Sequence, residues 1–284
     1  ELKLYGLIHA RGSAGVDGAG GAGGAVSLTA ATGIINSGTI DTSGGGGTSV
    51  GAGGNVAFNS DTVFNADVTI TTGAGAGDIT LTGSLDGGQA VTLAAGTGGI
   101  DFNGEVGGVA ALSSLTVSSG ALTLDQDVTT TGAQTYSQAV ALTGNTTLTG
   151  SGLWAGAIDI STHSLTLSEA GTGSVTGTIS GDGSLTKSGV GTLTLSGDST
   201  FTGDLYVRAG QITVSAGVTI DGMRRVDVVG INGATLDISG TVQTGLGGDF
   251  GVGAGLAGTG EVIVRSGGTL DVGRLDDNGR GSVY

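Results

Sequence analysis

Residues 21–50, GAGGAVSLTAATGIINSGTIDTSGGGGTSV, align without a gap on residues 51–80, GAGGNVAFNSDTVFNADVTITTGAGAGDIT. Eleven of the thirty positions are identical, Val26 with Val56 and Ile40 with Ile70 among them. A shorter echo follows: AVSLTAATGIINSGTI from Ala25 returns from Ala90 as AVTLAAGTGGIDFNGEV, with one glycine added. Self-similarity at such a period belongs to solenoids, propellers and arrays, where one small unit cannot bury its apolar side alone and stacks on the next.

Inside the repeats the apolar residues come in short period-2 pairs: Ile79 and Leu81, Val91 and Leu93, Ile100 and Phe102, Leu115 and Val117, Leu122 and Leu124, Val140 and Leu142. Each pair ends at Gly, Ser, Asn or Asp, residues that supply the backbone angles of a tight corner. This predicts strands of three to five residues. No window holds apolar residues at i, i+3, i+4 and i+7 for three turns, so no amphipathic helix is expected. A propeller blade needs about 40–50 residues and an aromatic signature, and a sandwich needs long strands and hairpins. Here Phe102, Leu124 and Leu148 recur after 22 and then 24 residues. That interval predicts one coil of a parallel β-helix with three short strands, each stacking its inward pair on the coil below.

Composition agrees. Glycine accounts for 63 of 284 residues, yet there is no proline, so this is not collagen. Val, Ile, Leu and Thr dominate the remaining positions, which separates the chain from disordered glycine-rich tracts. Proline cannot donate to a strand ladder, and a chain paired on both sides has little room for it. With no cysteine, and only His9 and His163 as imidazoles, zinc chemistry lacks a ligand set. The net charge of −15, with nine Lys and Arg, leaves no basic patch for nucleic acid or an anionic membrane surface. The opening ELKLYGLIHARG has none of the order of a signal peptide, so the chain is expected to be either cytosolic or, in preference, an internal piece of a longer precursor.

Several stretches imitate chemical motifs. GTSVG, Gly47 to Gly51, matches a nucleophile elbow around Ser49, but the elbow needs a strand before it and a helix after it. GAGGAG, Gly18 to Gly23, fits a dinucleotide fingerprint without the flanking strand and helix. GDST, Gly197 to Thr200, approaches the surroundings of a protease serine at Ser199, with His163 the nearest available base in kind. A sister turn at Ser180 to Ser184 predicts instead two equivalent corners in which Asp182 and Asp198 bond their own backbone. Asp125 and Asp127 project together, and Asp276 and Asp277 are adjacent, as a polysaccharide-cleaving carboxylate pair would require. Arg224 and Arg225 are expected in a solvated loop rather than as a clamp on an acidic sugar. GSAGVDGAG near Gly12 is a single, imperfect version of a calcium-binding nonapeptide that would have to repeat. The Thr-x-Thr pairs at Thr69, Thr80, Thr147 and Thr192 suggest an ice-ordering ladder, but their irregular spacing shows no continuous array. No catalytic, cofactor-binding or metal-binding residue is assigned.

The stretch GDGSLTKSGVGTLTLSGDSTFTGDLYVRAGQITVSAG, Gly181 to Gly217, resembles the autotransporter-associated β-strand repeat through Leu185, Lys187, Gly191, Leu193, Leu195, Gly197, Gly203, Val207, Gly210, Ile212 and Val214. GLAGTGEVIVRSGGTLDVG, from Gly255, is similar to a segment found near such repeats, with Val272 where the family often has proline. The glycine-spaced first half looks like filamentous-haemagglutinin-type passengers. The resemblance implies a right-handed parallel β-helix, secreted across a Gram-negative outer membrane through a β-barrel translocator and displayed on the cell surface or released. The chain is then one β-helix segment: haemagglutinin-like repeats over 1–110, the autotransporter-type repeat over 174–217 and further coils over 218–284. The expected function is that of a non-enzymatic adhesin or structural stalk. Its expected partners are a host, neighbouring-cell or matrix surface, with self-association possible, no nucleic acid and no cofactor. A self-assembling filament or sheath subunit and a polysaccharide-active β-helix enzyme are the alternatives.

Overall fold

A computed structural model describes residues 1–230, 233–252 and 259–272. Every regular element among them is a strand, and the named strand pairings are parallel. The fold is an all-β solenoid. Packing divides the chain into two compact units, Glu1–Val140 and Ala141–Tyr284.

In the first unit each coil contributes a strand to up to three faces. The second face is the most continuous, running Ile8–His9, Ile40–Asp41, Val68–Thr71, Ala90–Ala94, Ser114–Ser118 and Ala133–Tyr136. The third runs Val26–Leu28, Val56–Phe58, Ile79–Leu81, Gly99–Phe102 and Ala121–Leu124. The first face begins with Leu2–Leu4, Ile34–Asn36, Thr62–Phe64 and Leu85–Asp86, and continues as single bridges through Val106 and Val128. Side chains alternate in and out along a strand, so in-register pairing turns each inward pair into a column. Val56, Ile79, Ile100 and Leu122 form one such column, and Phe58, Leu81, Phe102 and Leu124 another. All eight are buried. Phe58 meets Phe64 edge to face with ring centroids 6.0 Å apart, a favoured aromatic arrangement that joins the third face to the first.

The thirty-residue repeat is the stacking register itself: Val26 pairs with Val56 and Ile40 with Ile70. The echo at Ala90 is not a coil-to-coil match. Val26 lies on the third face, whereas Val91 lies on the second between Val68 and Leu115. The strand-and-corner pattern repeats per strand as well as per coil, so similar strings occur on different faces.

The first coils are long because glycine-rich segments are inserted after the second face. These segments hydrogen-bond backbone to backbone within a coil, as in Gly21 N to Ser13 O (2.8 Å), and between coils, as in Gly45 N to Gly21 O (2.8 Å) and Gly20 N to Ser49 O (2.9 Å). A Cβ on Gly20 would be driven into the carbonyl of Gly45, and one on Gly45 into that of Ser13. Close approach of main chain to main chain is what demands glycine here.

The second unit stacks shorter coils. Its second face runs Gly152–Ala155, Thr172–Val175, Thr192–Leu195, Gly210–Val214, Ala234–Ile238 and Gly260–Val264. Its first runs Thr146–Gly150, Leu165–Glu169, Leu185–Lys187, Asp204–Val207, Thr219–Val228, Thr241–Val252 and Thr269–Asp271. Its third face carries Ile158–Asp159 and Ile179–Ser180, with Ser199 bonded beside Ile179; the two long strands carry the chain around a corner, since Ile220 bridges to Ser199 there while Val226 pairs with Leu205 on the first face. Leu148 pairs with Leu167 on the first face, so it belongs to a different kind of column from Phe102 and Leu124, which pair on a third face.

Candidate functional surface

The sequence-level candidates resolve mostly into structure. Ser49 is exposed, and its surroundings contain no helix, so the strand-turn-helix of an elbow is missing. Gly18 to Gly23 belong to the glycine stack. Ser199 is buried, accepting from Ile179 N (3.1 Å) and donating to Gly197 O (3.3 Å); its hydroxyl ties one coil to the next and points away from solvent. His163 sits in the turn after Ile160, its amide bonded to Ile160 O (2.8 Å).

The corner aspartates do something the sequence did not reveal. Asp198 accepts from Thr219 N (2.7 Å) and Asp182 from Thr202 Oγ1 (2.7 Å), 21 and 20 residues on, rather than from their own turns. The same device recurs at Asp61 to Ser84 N, Asp67 to Ala90 N, Asp78 to Gly99 N and Asp86 to Val109 N, each 2.8–2.9 Å. A carboxylate at a corner thus satisfies the first amide of a strand or loop one coil later. Asp41 and Asp159 do bond within their own turns, to Ser43 N and Ser161 N.

Asp125 and Asp127 lie in the corner between Ala121–Leu124 and Val128–Thr129, not on a sheet face, with Gln126 donating to Asp125 (2.9 Å). Asp276 and Asp277 lie outside the described residues, as do Gly255 to Gly258. Among the described residues no group of three His, Cys, Asp or Glu side chains is placed to hold a metal. An open depression of about 500 Å³ in the first unit is lined by corner residues such as Asn59, Asp61 and Thr82.

Arg224 and Arg225 are in a strand rather than a loop, within a network over two coils. Arg224 makes a two-pronged bond to Asp204 (2.9 and 2.8 Å), Tyr206 donates to Asp204 (2.6 Å), and Arg225 and Arg208 both reach Asp227 (3.1 and 3.2 Å). Arg208 also stands 4.5 Å over the Tyr206 ring, a cation-π placement. The Arg224 guanidinium bonded to it holds the Asp204 carboxyl below the usual carboxylate range. Arg265 does the same for Asp237 through bonds of 2.8 and 2.5 Å.

Lys187, one of the repeat residues, points into the core. It is fully buried, bonds to Gly189 O and lies 3.4 Å from the equally buried Glu169. Burial pushes the Glu169 carboxyl up and the Lys187 amine down, each toward its neutral form, against the attraction between the two charges. Neither carboxylate oxygen of Glu169 has a hydrogen-bond donor.

The outward side chains form columns that the spacing concealed. Thr69, Thr92, Thr116 and Thr135 stand one above another in the first unit. In the second, Trp154, Ser174, Thr194, Thr213 and Asp237 form one column and Thr172, Thr192, Gln211 and Thr235 its neighbour. The Thr-x-Thr pairs at Thr69, Thr80 and Thr147 lie on the second, third and first faces, so the intervals between them measure no single column.

These features define a β-solenoid whose chemistry faces outward from stacked strands. Residues 185–218 match the passenger-associated-transport-repeat family. The match falls on two stacked coils: Leu185 and Lys187 pair with Leu205 and Val207, and Leu193 and Leu195 with Ile212 and Val214. The motif is therefore self-complementary, its first half forming the floor for its second. No curated protein and no solved structure matches the chain. The repeat and the solenoid fold together point to a secreted passenger.

Proposed function

We propose that this chain is a section of an autotransporter passenger, exported through an outer-membrane translocator to the Gram-negative cell surface, where it acts without catalysis as an adhesive or stalk segment. The observation that carries this reading is the passenger-type repeat lying in register across two coils of the solenoid. The placement of the sequence-level candidates supports a non-catalytic role: Ser199 is buried in a structural hydrogen-bond pair, and Asp125 and Asp127 occupy a corner. The exposed chemistry is arranged along faces, which suits contact with an extended surface.

The test is display. Fused between a secretion signal and a translocator barrel, the chain is expected to become accessible to protease on intact Gram-negative cells and to raise their attachment to epithelial or matrix-coated surfaces. Retention in the periplasm would contradict the passenger reading. Surface display without any gain in attachment would contradict the adhesive one, and clumping of the displaying cells with one another would point to self-association.

A further inference from the structure

Trp154 is the only tryptophan in the chain and is 43% exposed on the second face of the second unit. A large aromatic residue on an open sheet face gives up burial it could otherwise gain. It is held there by a built seat. A Cβ on Gly152 would stand 2.6 Å from Cη2 and 2.7 Å from Cζ3 of the ring, so the six-membered ring packs against bare glycine backbone while the residue stays open to solvent. Below it in the same column come Ser174, Thr194 and Thr213, and beside them Thr172 and Thr192. Among the described residues the hydroxyls of Thr172, Ser174, Thr192 and Thr194 have no side-chain partner, whereas Gln211 donates to Thr213 (2.9 Å). No Lys, Arg, Asp or Glu enters either column before Asp237.

We infer that this face is a binding site for a neutral polysaccharide, with Trp154 as the stacking platform. A pyranose ring presents a face of C–H groups that packs on an indole, and its hydroxyls both donate and accept hydrogen bonds, as the unpartnered serine and threonine hydroxyls do. Successive coils are ~4.8 Å apart, close to the advance per sugar in an extended chain, so consecutive rungs meet consecutive sugars. An acidic polymer would bring charge to columns that hold no cation in their first rungs, and a nucleic acid would do the same. The inference rests on the adhesive reading, for which it supplies the ligand class.

The lone tryptophan makes the site its own reporter. Titrating the purified chain with cellohexaose and with chitohexaose is expected to give a saturable change in tryptophan emission with at least one of them. Electrophoresis through gels containing a neutral β-glucan should show retardation that Trp154→Ala reduces at least tenfold in affinity and Trp154→Phe reduces less. Thr194→Val leaves the reporter in place and should weaken binding several-fold, while Thr80→Val, on the third face of the first unit, should leave it unchanged. Circular dichroism confirms that each variant is folded. Absence of any saturable emission change and of any retardation overturns the inference, as does equal retardation of Trp154→Ala and the native chain. If displaying cells still attach to surfaces when they carry Trp154→Ala, the adhesive reading stands and the polysaccharide one falls.

Discussion

The two units share carboxylate staples at their corners and differ in what else holds their coils together. In the first, long coils are held at one corner by glycine main chain against glycine main chain, with side chains excluded from the contact. In the second, coils of about twenty residues are tied by side chains: Ser199 to Ile179, Asp198 to Thr219, Arg224 to Asp204, Arg265 to Asp237 and the buried Lys187 with Glu169. The difference shows that a solenoid needs a constant rung spacing, not a constant coil length. Extra residues are absorbed wherever the backbone satisfies its own hydrogen bonds. The two-pronged arginine–aspartate pairs and the buried Lys187–Glu169 pair belong to the second unit.

The sharpest way to break the second unit is its buried pair. Removing one member of such a pair strands the other charge and costs about 3–5 kcal/mol, so Glu169→Ala should lower the denaturation midpoint strongly. Replacing both, with Glu169→Leu and Lys187→Met, should restore most of that loss, because the pair itself offsets little more than its own desolvation. Chemical denaturation of the single and double variants checks this, and a double variant as weak as the single one would show that the pair is needed as a pair.

The first unit should be sensitive to one methyl group. Gly45→Ala is expected to cost about 1–3 kcal/mol through overpacking, with hydrogen exchange accelerated at the amides of the glycine segments and unchanged in the core columns. Gly46→Ala, where a Cβ meets nothing, is the control and should be nearly silent.

Acid should weaken the second unit. Asp204 and Asp237 have carboxyl pKa values lowered by Arg224 and Arg265. Their contribution is therefore present above the ordinary aspartate value of about 4 and is lost as pH falls through the lower folded-state values. Stability of the second unit should drop below about pH 4, and Asp204→Asn with Asp237→Asn should flatten that slope in pH-dependent unfolding. The smallest effect is expected from one corner staple: Asp198→Ala should cost about 1 kcal/mol, with faster exchange confined to the Thr219 amide.

How much of this was legible depended on whether the signal was local or set by stacking. Period-2 pairs such as Ile100 and Phe102 mark strands because alternation is a property of a single strand. The register of Val26 on Val56 was legible because two neighbouring coils happen to have nearly equal length and kindred sequence. The threonine columns, the Asp198 staple and the Lys187–Glu169 pair are contacts across coils, and they become visible only once each strand is assigned to its face. Lys187 was visible as a repeat residue, but alternation alone does not say that a lysine faces inward. Trp154 stood out only by being single; its seat over Gly152 exists only in the folded chain.

The central claim is that parallel register, not sequence interval, builds the outward columns. The chain has no cysteine, so introduced pairs report it cleanly, and adjacent parallel strands bring Cα atoms within the range of a disulfide, about 4.4–6.8 Å. Oxidising Thr92→Cys/Thr116→Cys in the first unit and Thr194→Cys/Thr213→Cys in the second should give intramolecular crosslinks in both, with little crosslinking from the offset pairs Thr92→Cys/Ser118→Cys and Thr192→Cys/Thr213→Cys. Crosslinking of the offset pairs in preference to the aligned ones would contradict the register, and with it the face on which Trp154 stands.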